Sequence, residues 1–233
     1  MKKTPDWKTL RHKRRATRED LGLTKAEFAV LRRLSTPEKI QRFLNGLQQN
    51  FERDGETCNA VREVLRTRRA HCIEGAVVAA AALWVHGERP LMLDLQAVKD
   101  VDHVVIVFRR HGCWGAISKT NGIGLRWRDP IYRSLRELAM SWFHEYYNKR
   151  NRKTLRTYSV PYDLRRMAPA DWVTAEEGAW DLVDNLTSLR HYKLATAAQL
   201  RHVARRDPFE RRWSGLTQYR RPRAKAAAKG RKK

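Results

Sequence analysis

The sequence predicts an α+β fold in which a buried helix packs on a small antiparallel sheet, with further helices as a C-terminal appendage. Three observations predict it. From Cys72 to Trp84 the residues are small and mostly apolar, which is typical of a helix that is buried on most sides. Two strand-like segments follow, at 90–97 and 103–108, and a turn continues the second as a hairpin. Beyond Pro169 the apolar residues recur at helical spacing.

The helices before the buried one begin at recognisable caps. Thr24, with Glu27 three residues later, forms a capping box for a helix that reaches about residue 34. Thr36 with Pro37 directly after it predicts the next helix start, because proline is favoured at a first helical position. A short third helix is expected to begin at residue 59 or 60 and to end at 65.

The sheet is predicted from the two strands and the hairpin. In 90–97 leucines alternate with other residues, and 103–108 is almost entirely apolar, as a central strand would be. A turn at 110–112 brings the chain back as a strand over 114–119. After the hairpin, helical spacing predicts a helix over 134–147.

The domain organisation follows from these elements and from the shift in composition after residue 165. We expect a basic N-terminal segment with one helix (1–35), a core (36–165), a helical appendage (166–219) and a disordered basic tail (220–233). At this length one well-formed core with appendages is the expected arrangement.

The formal charge of +24 is concentrated at the two ends of the chain. Residues 1–33 hold eleven Lys and Arg against four acids, and residues 201–233 hold thirteen against two. Basic segments of this kind attract nucleic acid without reading its sequence. A solvated cationic surface explains the same charge equally well, so nonspecific nucleic-acid contact through the termini is one of two interpretations.

Cys72 is the strongest candidate for a nucleophile. It stands where a loop becomes the buried helix, and the unpaired N–H groups at a helix start favour thiolate over thiol. Arg66, Arg68 and Arg69 precede it and add positive charge. A helix-start cysteine followed by a histidine on a strand, here His103, is typical of a papain-like thiol catalyst.

His103 is the preferred general base because it begins a buried strand directly after an acidic loop. Among the competing histidines, His71 is adjacent to Cys72 in sequence. Successive side chains on a helix point apart, so we expect His71 to be poorly aimed. His144 lies in an aromatic cluster on the predicted helix over 134–147, where a packing role is expected.

The stretch from about residue 36 to 162 resembles a bacterial transglutaminase-like family of the papain-like cysteine protease superfamily. The resemblance is carried by Asn50–Glu52, Gly55–Cys58, Val64–Leu65, Ala70–Ala76, Pro90–Leu95, Asp102–Val104, Trp114–Lys119, Tyr132–Ser141 and His144–Asn148. It implies a transglutaminase-like core, a cysteine hydrolase or acyltransferase that acts on an amide or peptide bond, and a Cys–His–polar triad. Proteases, amidases, cross-linking enzymes and inactive scaffolds share such domains, so the substrate stays open.

The third member of the triad is where the sequence departs from the family, which usually places an Asp on the strand after the histidine strand. If the hairpin turn centres on residues 110 and 111, His103 faces Ser118, and if it centres on 111 and 112, His103 faces Thr120. A hydroxyl accepts from the imidazole N–H but does not stabilise imidazolium as a carboxylate does. Asn121 is one alternative, and Asp94 or Asp102 could supply the charge from elsewhere. A catalytically degenerate scaffold that binds a protein or nucleic-acid partner is the rival interpretation.

Three smaller expectations concern the first turn of the buried helix. Glu74 is either a capping carboxylate or a ligand to basic residues near the site. Gly75 is expected to permit a close backbone approach. The Cys72 N–H is the natural first donor to an oxyanion, and Thr57 or Asn59 could supply a second.

The remaining expectations are absences and location. Cys58, Cys72 and Cys113 fit neither a zinc site nor a disulfide framework, so we expect no metal and no cofactor. No secretion signal or membrane span is evident, and an odd number of cysteines favours a reducing compartment, so a cytoplasmic location is expected. The expected substrate is a protein or a peptide-like molecule.

Overall fold

In the computed structural model, which describes residues 12–222, an antiparallel sheet lies between two helical layers, so the predicted α+β class is confirmed. The helices are α1 (Lys25–Arg33), α2 (Pro37–Asn45), α3 (Val61–Thr67), α4 (Cys72–Val85), α5 (Leu135–Met140), α6 (Pro169–Trp172), α7 (Trp180–Thr187), α8 (Ala197–Arg201) and α9 (Pro208–Ser214). The strands are β1 (Gln48–Gln49), β2 (Arg69–Ala70), β3 (Leu91–Ala97), β4 (His103–Arg110), β5 (Cys113–Ile117), β6 (Arg128–Tyr132), β7 (Leu155–Ser159), β8 (Tyr162–Asp163) and β9 (His191–Lys193). Most of the tail predicted to be disordered, from residue 223 onward, lies outside the described residues, as do residues 1–11.

The main sheet runs in the order β6-β5-β4-β3-β7-β9, with β8 also paired to β3. Its strand pairs are antiparallel. A separate parallel pair joins β1 to β2, with Gln49 opposite Ala70. This short pair matters for the site, because it fixes the chain immediately before α4.

The hairpin between β4 and β5 follows the second of the two predicted registers. Arg110 pairs with Cys113, so the turn centres on His111 and Gly112. Both residues have positive φ, +48° and +81°. Two consecutive positive φ values are typical of a type I′ turn, whose twist matches that of the strands. This turn favours glycine at its second central position.

Alternate residues of the central strands face the two helical layers. Met92 and Ile106 belong to one buried cluster, together with α4. Leu93 and Val107 belong to the other, together with α5 and the aromatic residues that follow it. The sheet is therefore covered on both faces, which explains why 103–108 is almost entirely apolar.

Helix α4 is buried along its whole length after Cys72. Its alanines allow close packing on every side, and at its far end Trp84 stacks on Trp172, with ring centroids 6.4 Å apart. Trp172 lies in α6, and Leu182 of α7 belongs to the same cluster. The segment predicted as an appendage therefore contributes side chains to the core around α4.

The main sheet contains strands that were not predicted from the sequence, and one helix is shorter than predicted. Strands β6 and β9 form the two edges of the main sheet. Helix α5 ends at Met140 rather than near 147. Beyond it the N–H groups of Trp142 and Phe143 bond to carbonyls three residues earlier instead of four, and Arg128 of β6 donates to the carbonyl and the hydroxyl of Ser141. No helix among the described residues combines the length and the apolar character that a membrane crossing requires.

Candidate active site around Cys72

Cys72 is the first residue of α4 and is half-buried. It opens on a cleft of about 500 Å³. The walls of this cleft come from the segment after β1, the loop between β3 and β4, and the segment after β5. They include Gln49, Glu52, Asp102, His103, Lys119 and Asn121. The Cys72 N–H lies in the first helical turn, where N–H groups have no intrahelical acceptor.

His103 is the first residue of β4 and is buried. Its Nε2 lies 2.8 Å from the hydroxyl of Ser118. This contact forms although the register, extended past its last pair of Ile106 and Ile117, would place Thr120 opposite His103. Ser118 follows the last residue of β5, and its side chain reaches His103 diagonally. Nδ1 is then the ring nitrogen that remains for the thiol.

One side chain, that of Gln41, bonds both backbone polar groups of Ser118. The side chain of Gln41, on α2, donates to the Ser118 carbonyl at 2.8 Å and accepts from the Ser118 N–H at 2.9 Å. All three side chains, of Gln41, His103 and Ser118, are buried. An amide clamp of this kind fixes the position of the hydroxyl and, through it, the plane of the imidazole.

The electrostatics of the site favour a thiolate. Burial of the Cys72 thiol acts to raise its pKa, but hydrogen bonds from His103 and His71, with their charges, outweigh burial and lower the pKa to about 5. By contrast, burial raises the pKa of the Cys58 thiol to about 12. Cys113 is a half-buried free cysteine on β5.

His71 lies close to the thiol, so the prediction that it is poorly aimed is wrong. Its Nδ1 lies 3.8 Å from the Cys72 sulfur, and its Nε2 lies 2.9 Å from the Thr57 carbonyl. The expectation that adjacent side chains diverge applies inside a helix. His71 is the N-cap of α4, with extended backbone angles (φ −102°, ψ −163°), so it lies outside the helical geometry.

Glu74 is fully buried and accepts hydrogen bonds from several neighbours. They come from the side chains of Asn50, Thr57 and Asn59 and from the backbone N–H groups of Asn59 and His71. Burial acts to raise the pKa of Glu74, but the contacts with His71 and Asn50 outweigh it and lower the pKa to about 2. Thr57 and Asn59, the candidate second oxyanion donors, instead donate to this carboxylate.

The alternative third members of the triad are engaged elsewhere. Asp94 lies 3.0 Å from Nε2 of His191, on β9, and its backbone N–H donates to Ser159. The Asn121 side chain exchanges two hydrogen bonds of 2.9 Å with the backbone of Tyr219. Of the predicted candidates, the structure therefore brings Cys72, His103 and Ser118 together.

The close approach predicted at Gly75 is confirmed. A Cβ atom at this position would lie 2.4 Å from Cβ of Lys119. Lys119 is itself buried and donates from Nζ to the Leu47 carbonyl at 2.7 Å. Burial and the nearby Arg126 lower the pKa of Lys119 to about 8. The first turn of α4 is thus pressed against the residue that follows Ser118.

The chain matches no protein-family model, and no curated protein matches it.

Proposed function

We propose that this chain is a transglutaminase-like cysteine hydrolase or acyltransferase that acts on an amide or peptide bond. One observation carries the proposal. A half-buried thiol stands at the start of a buried helix, on the wall of a cleft, next to a histidine whose ring is oriented by Ser118. A nucleophile, a base within reach and a group behind the base are the elements of thiol catalysis.

In the proposed reaction the Cys72 thiolate attacks the carbonyl carbon and forms the C–S bond. The negative charge that develops on the carbonyl oxygen is stabilised by the Cys72 N–H. His103, as imidazolium, gives its proton to the leaving amine as the C–N bond breaks, and a thioester remains. Water or an amine then attacks the thioester and loses a proton to His103. The C–S bond breaks and the thiolate returns.

The cleft supports a protein or peptide-like substrate. A volume of about 500 Å³ accommodates a short extended segment rather than a folded surface. Two apolar side chains that line it, Val101 and Ile123, are 77% and 45% exposed. Exposed apolar groups beside polar ones are suited to the side chains of a bound peptide.

Acylation by p-nitrophenyl acetate tests the proposal. The expected result is a burst of one equivalent of p-nitrophenolate, with the acetyl group on the Cys72 peptide, followed by slower turnover. Cys72→Ala should abolish the burst, and His103→Asn should slow it by about 10²-fold or more. Cys113→Ser is the matched control and should retain it. A burst that persists in Cys72→Ala would contradict the proposal.

A catalytically degenerate scaffold that binds a protein or nucleic-acid partner is the second candidate, favoured by one observation. The group that contacts Nε2 of His103 is the hydroxyl of Ser118 and not a carboxylate. A hydroxyl stabilises the imidazolium less. The scaffold predicts that Cys72 is alkylated or acylated once, with no steady-state turnover of the ester or of peptide amides, whereas the enzyme predicts continued release of product.

A further inference from the structure

The carboxylate of this site stands behind His71 rather than behind His103. Oε1 of Glu74 lies 3.4 Å from Nε2 of His71, and Oε1 of Glu52 lies 3.6 Å from the same nitrogen. The opposite nitrogen of His71 faces the Cys72 sulfur at 3.8 Å. Glu74 thus contacts His71, and His71 in turn contacts the Cys72 sulfur, so the thiol has a second histidine beside it besides His103.

The contacts of His71 determine its protonation state. Nε2 faces a carbonyl, from Thr57, and two carboxylates, all of which are acceptors. Nδ1 faces a sulfur that accepts when it is a thiolate. A neutral imidazole has one N–H and would leave one of these two sides without a donor, whereas imidazolium donates on both. The surroundings therefore fit the charged form.

Glu74 cannot easily turn away from this position. Its carboxylate is fully buried and is held by side chains of the loop before α3, including Asn50, Thr57 and Asn59. It also accepts from the His71 backbone, which ties it to the start of α4. A carboxylate with this many donors stays ionised, and a buried ionised carboxylate requires a nearby cation.

We propose that His71 is a second catalytic residue: an imidazolium, held by Glu74, that stays charged throughout the cycle and maintains Cys72 as a thiolate. The inference rests on the proposed function, since it assigns the thiolate to catalysis. Proton exchange with substrate is left to His103. His103 has a hydroxyl, from Ser118, where a triad has a carboxylate. In this site the carboxylate is that of Glu74, and it acts on His71 instead.

The charged and titratable groups facing His71 are Glu52 from the segment after β1, Glu74 and Cys72 from α4, and His103 across the thiol. Burial acts to lower the pKa of His71, but the contacts with Cys72 and Glu74 outweigh it and raise the pKa to about 11. The contacts of His71 with Glu74 and Glu52 do not depend on the thiolate. We therefore expect His71 to stay charged when His103 protonates the leaving amine and when the thioester is cleaved.

The test is the pH dependence of Cys72 alkylation by iodoacetamide between pH 4 and 9, measured on separate peptides with Cys113 as internal reference. Two variants remove the charge in different ways. His71→Gln keeps a donor toward the Thr57 carbonyl, and His71→Asn keeps a neutral donor toward the sulfur. Both should move the inflection upward by a pH unit or more, which is about tenfold in thiolate fraction at a fixed acidic pH. His144→Asn, at an exposed histidine, is the control and should leave the profile unchanged.

An unchanged inflection in both His71 variants would overturn the inference while leaving the proposed function intact. If instead the alkylation of wild-type Cys72 shows no inflection in the acidic range, the thiolate itself is absent and the proposed function fails as well. A measurement on the wild type covers the case in which the variants do not fold. Nitrogen-15 NMR of the imidazoles should show both nitrogens of His71 protonated from pH 5 to 9, and a neutral His71 at pH 7 would contradict the inference.

Discussion

Glu74 accepts the backbone N–H of His71 at 2.8 Å with one carboxylate oxygen, while the other lies 3.4 Å from the ring of the same residue. The first contact completes a capping box at the start of α4. The second brings negative charge to the histidine beside Cys72. The two roles considered for Glu74 from the sequence, a cap and a partner of a basic group, are thus met by one side chain in one position.

Glu74→Gln should destabilise the protein strongly. The amide would direct N–H groups at donors that now bind the carboxylate, and would leave His71 without its counter-charge. Loss of one partner of a buried pair costs about 3–5 kcal/mol. Urea unfolding at pH 7 measures the change. Glu63→Gln is the control, because Glu63 pairs with an exposed Arg66, and it should cost less than about 0.5 kcal/mol.

The difference in unfolding free energy between wild type and Glu74→Gln should shrink as the pH falls. The folded protein holds the pKa of Glu74 at about 2, below its ordinary value of 4.5. The unfolded chain therefore binds this proton first as the pH falls. The stability contributed by Glu74 is fully present above pH 4.5 and is lost as the pH falls toward 2. If this difference in unfolding free energy grows as the pH falls, Glu74 is not an ionised, buried carboxylate in the folded protein.

The fold class and much of the site could be predicted because they depend on local patterns. The apolar residues after Cys72 and the strand at 103–108 require burial wherever the chain places them. His71 could not be placed correctly, since its position depends on whether it is the last residue outside the helix or the first inside it. A shift of one residue in the helix start separates these two cases. The pairing of β1 with β2, whose partners are twenty-one positions apart, fixes the chain up to residue 70 and so leaves His71 outside the helix.

The hairpin shows the same limit. Both registers were compatible with the sequence, and the contact between His103 and Ser118 forms in the register that was expected to pair His103 with Thr120. Side-chain reach, and the clamp that Gln41 places on Ser118, decide the contact. Neither depends on spacing along the chain, because Gln41 lies on a helix far earlier in the sequence.

Gly75→Ala should lower both stability and activity. The added methyl group would lie 2.4 Å from Cβ of Lys119, so either α4 or the segment after β5 must move. Overpacking of this kind costs about 1–3 kcal/mol. Because Lys119 follows Ser118, the same movement should pull the hydroxyl away from His103 and slow acylation of Cys72. Thermal unfolding and the p-nitrophenolate burst measure the two effects.

Gly46→Ala is the matched control for this change. Gly46 is the C-cap of α2 in a right-handed helical conformation, and a Cβ there meets backbone oxygen at 3.4 Å. It should leave the burst unchanged and alter stability by much less. If Gly75→Ala behaves like Gly46→Ala, the first turn of α4 does not press on Lys119 as the distance implies.

The C-terminal segment of the described chain forms part of the cleft. Thr217 pairs with Gly122, the Tyr219 backbone bonds to Asn121, and Arg221 lines the cleft. A chain that ends after residue 216 should therefore alkylate Cys72 severalfold faster with a bulky maleimide, since the segment after β5 loses its anchor. A chain that ends after residue 222 keeps these contacts and should react as the full chain does. Equal rates for the two truncations would show that the segment does not restrict access.

Deleting residues 223–233 should weaken binding to nucleic acid while leaving Cys72 reactivity unchanged. The deletion removes six Lys and Arg and no acid, and it spares Arg221 in the cleft. For every phosphate that the shortened chain no longer neutralises, the slope of log affinity against log salt should become shallower by about 0.9 for duplex DNA. Fluorescence anisotropy with a random duplex and a random single strand, at several salt concentrations, measures this.

Replacing the six cations by Gln at constant length should have the same effect as the deletion, because charge and not length attracts the phosphates. Affinity that is independent of salt, or a deletion that also slows Cys72 alkylation, would mean that these residues act at the site rather than as a separate cationic surface.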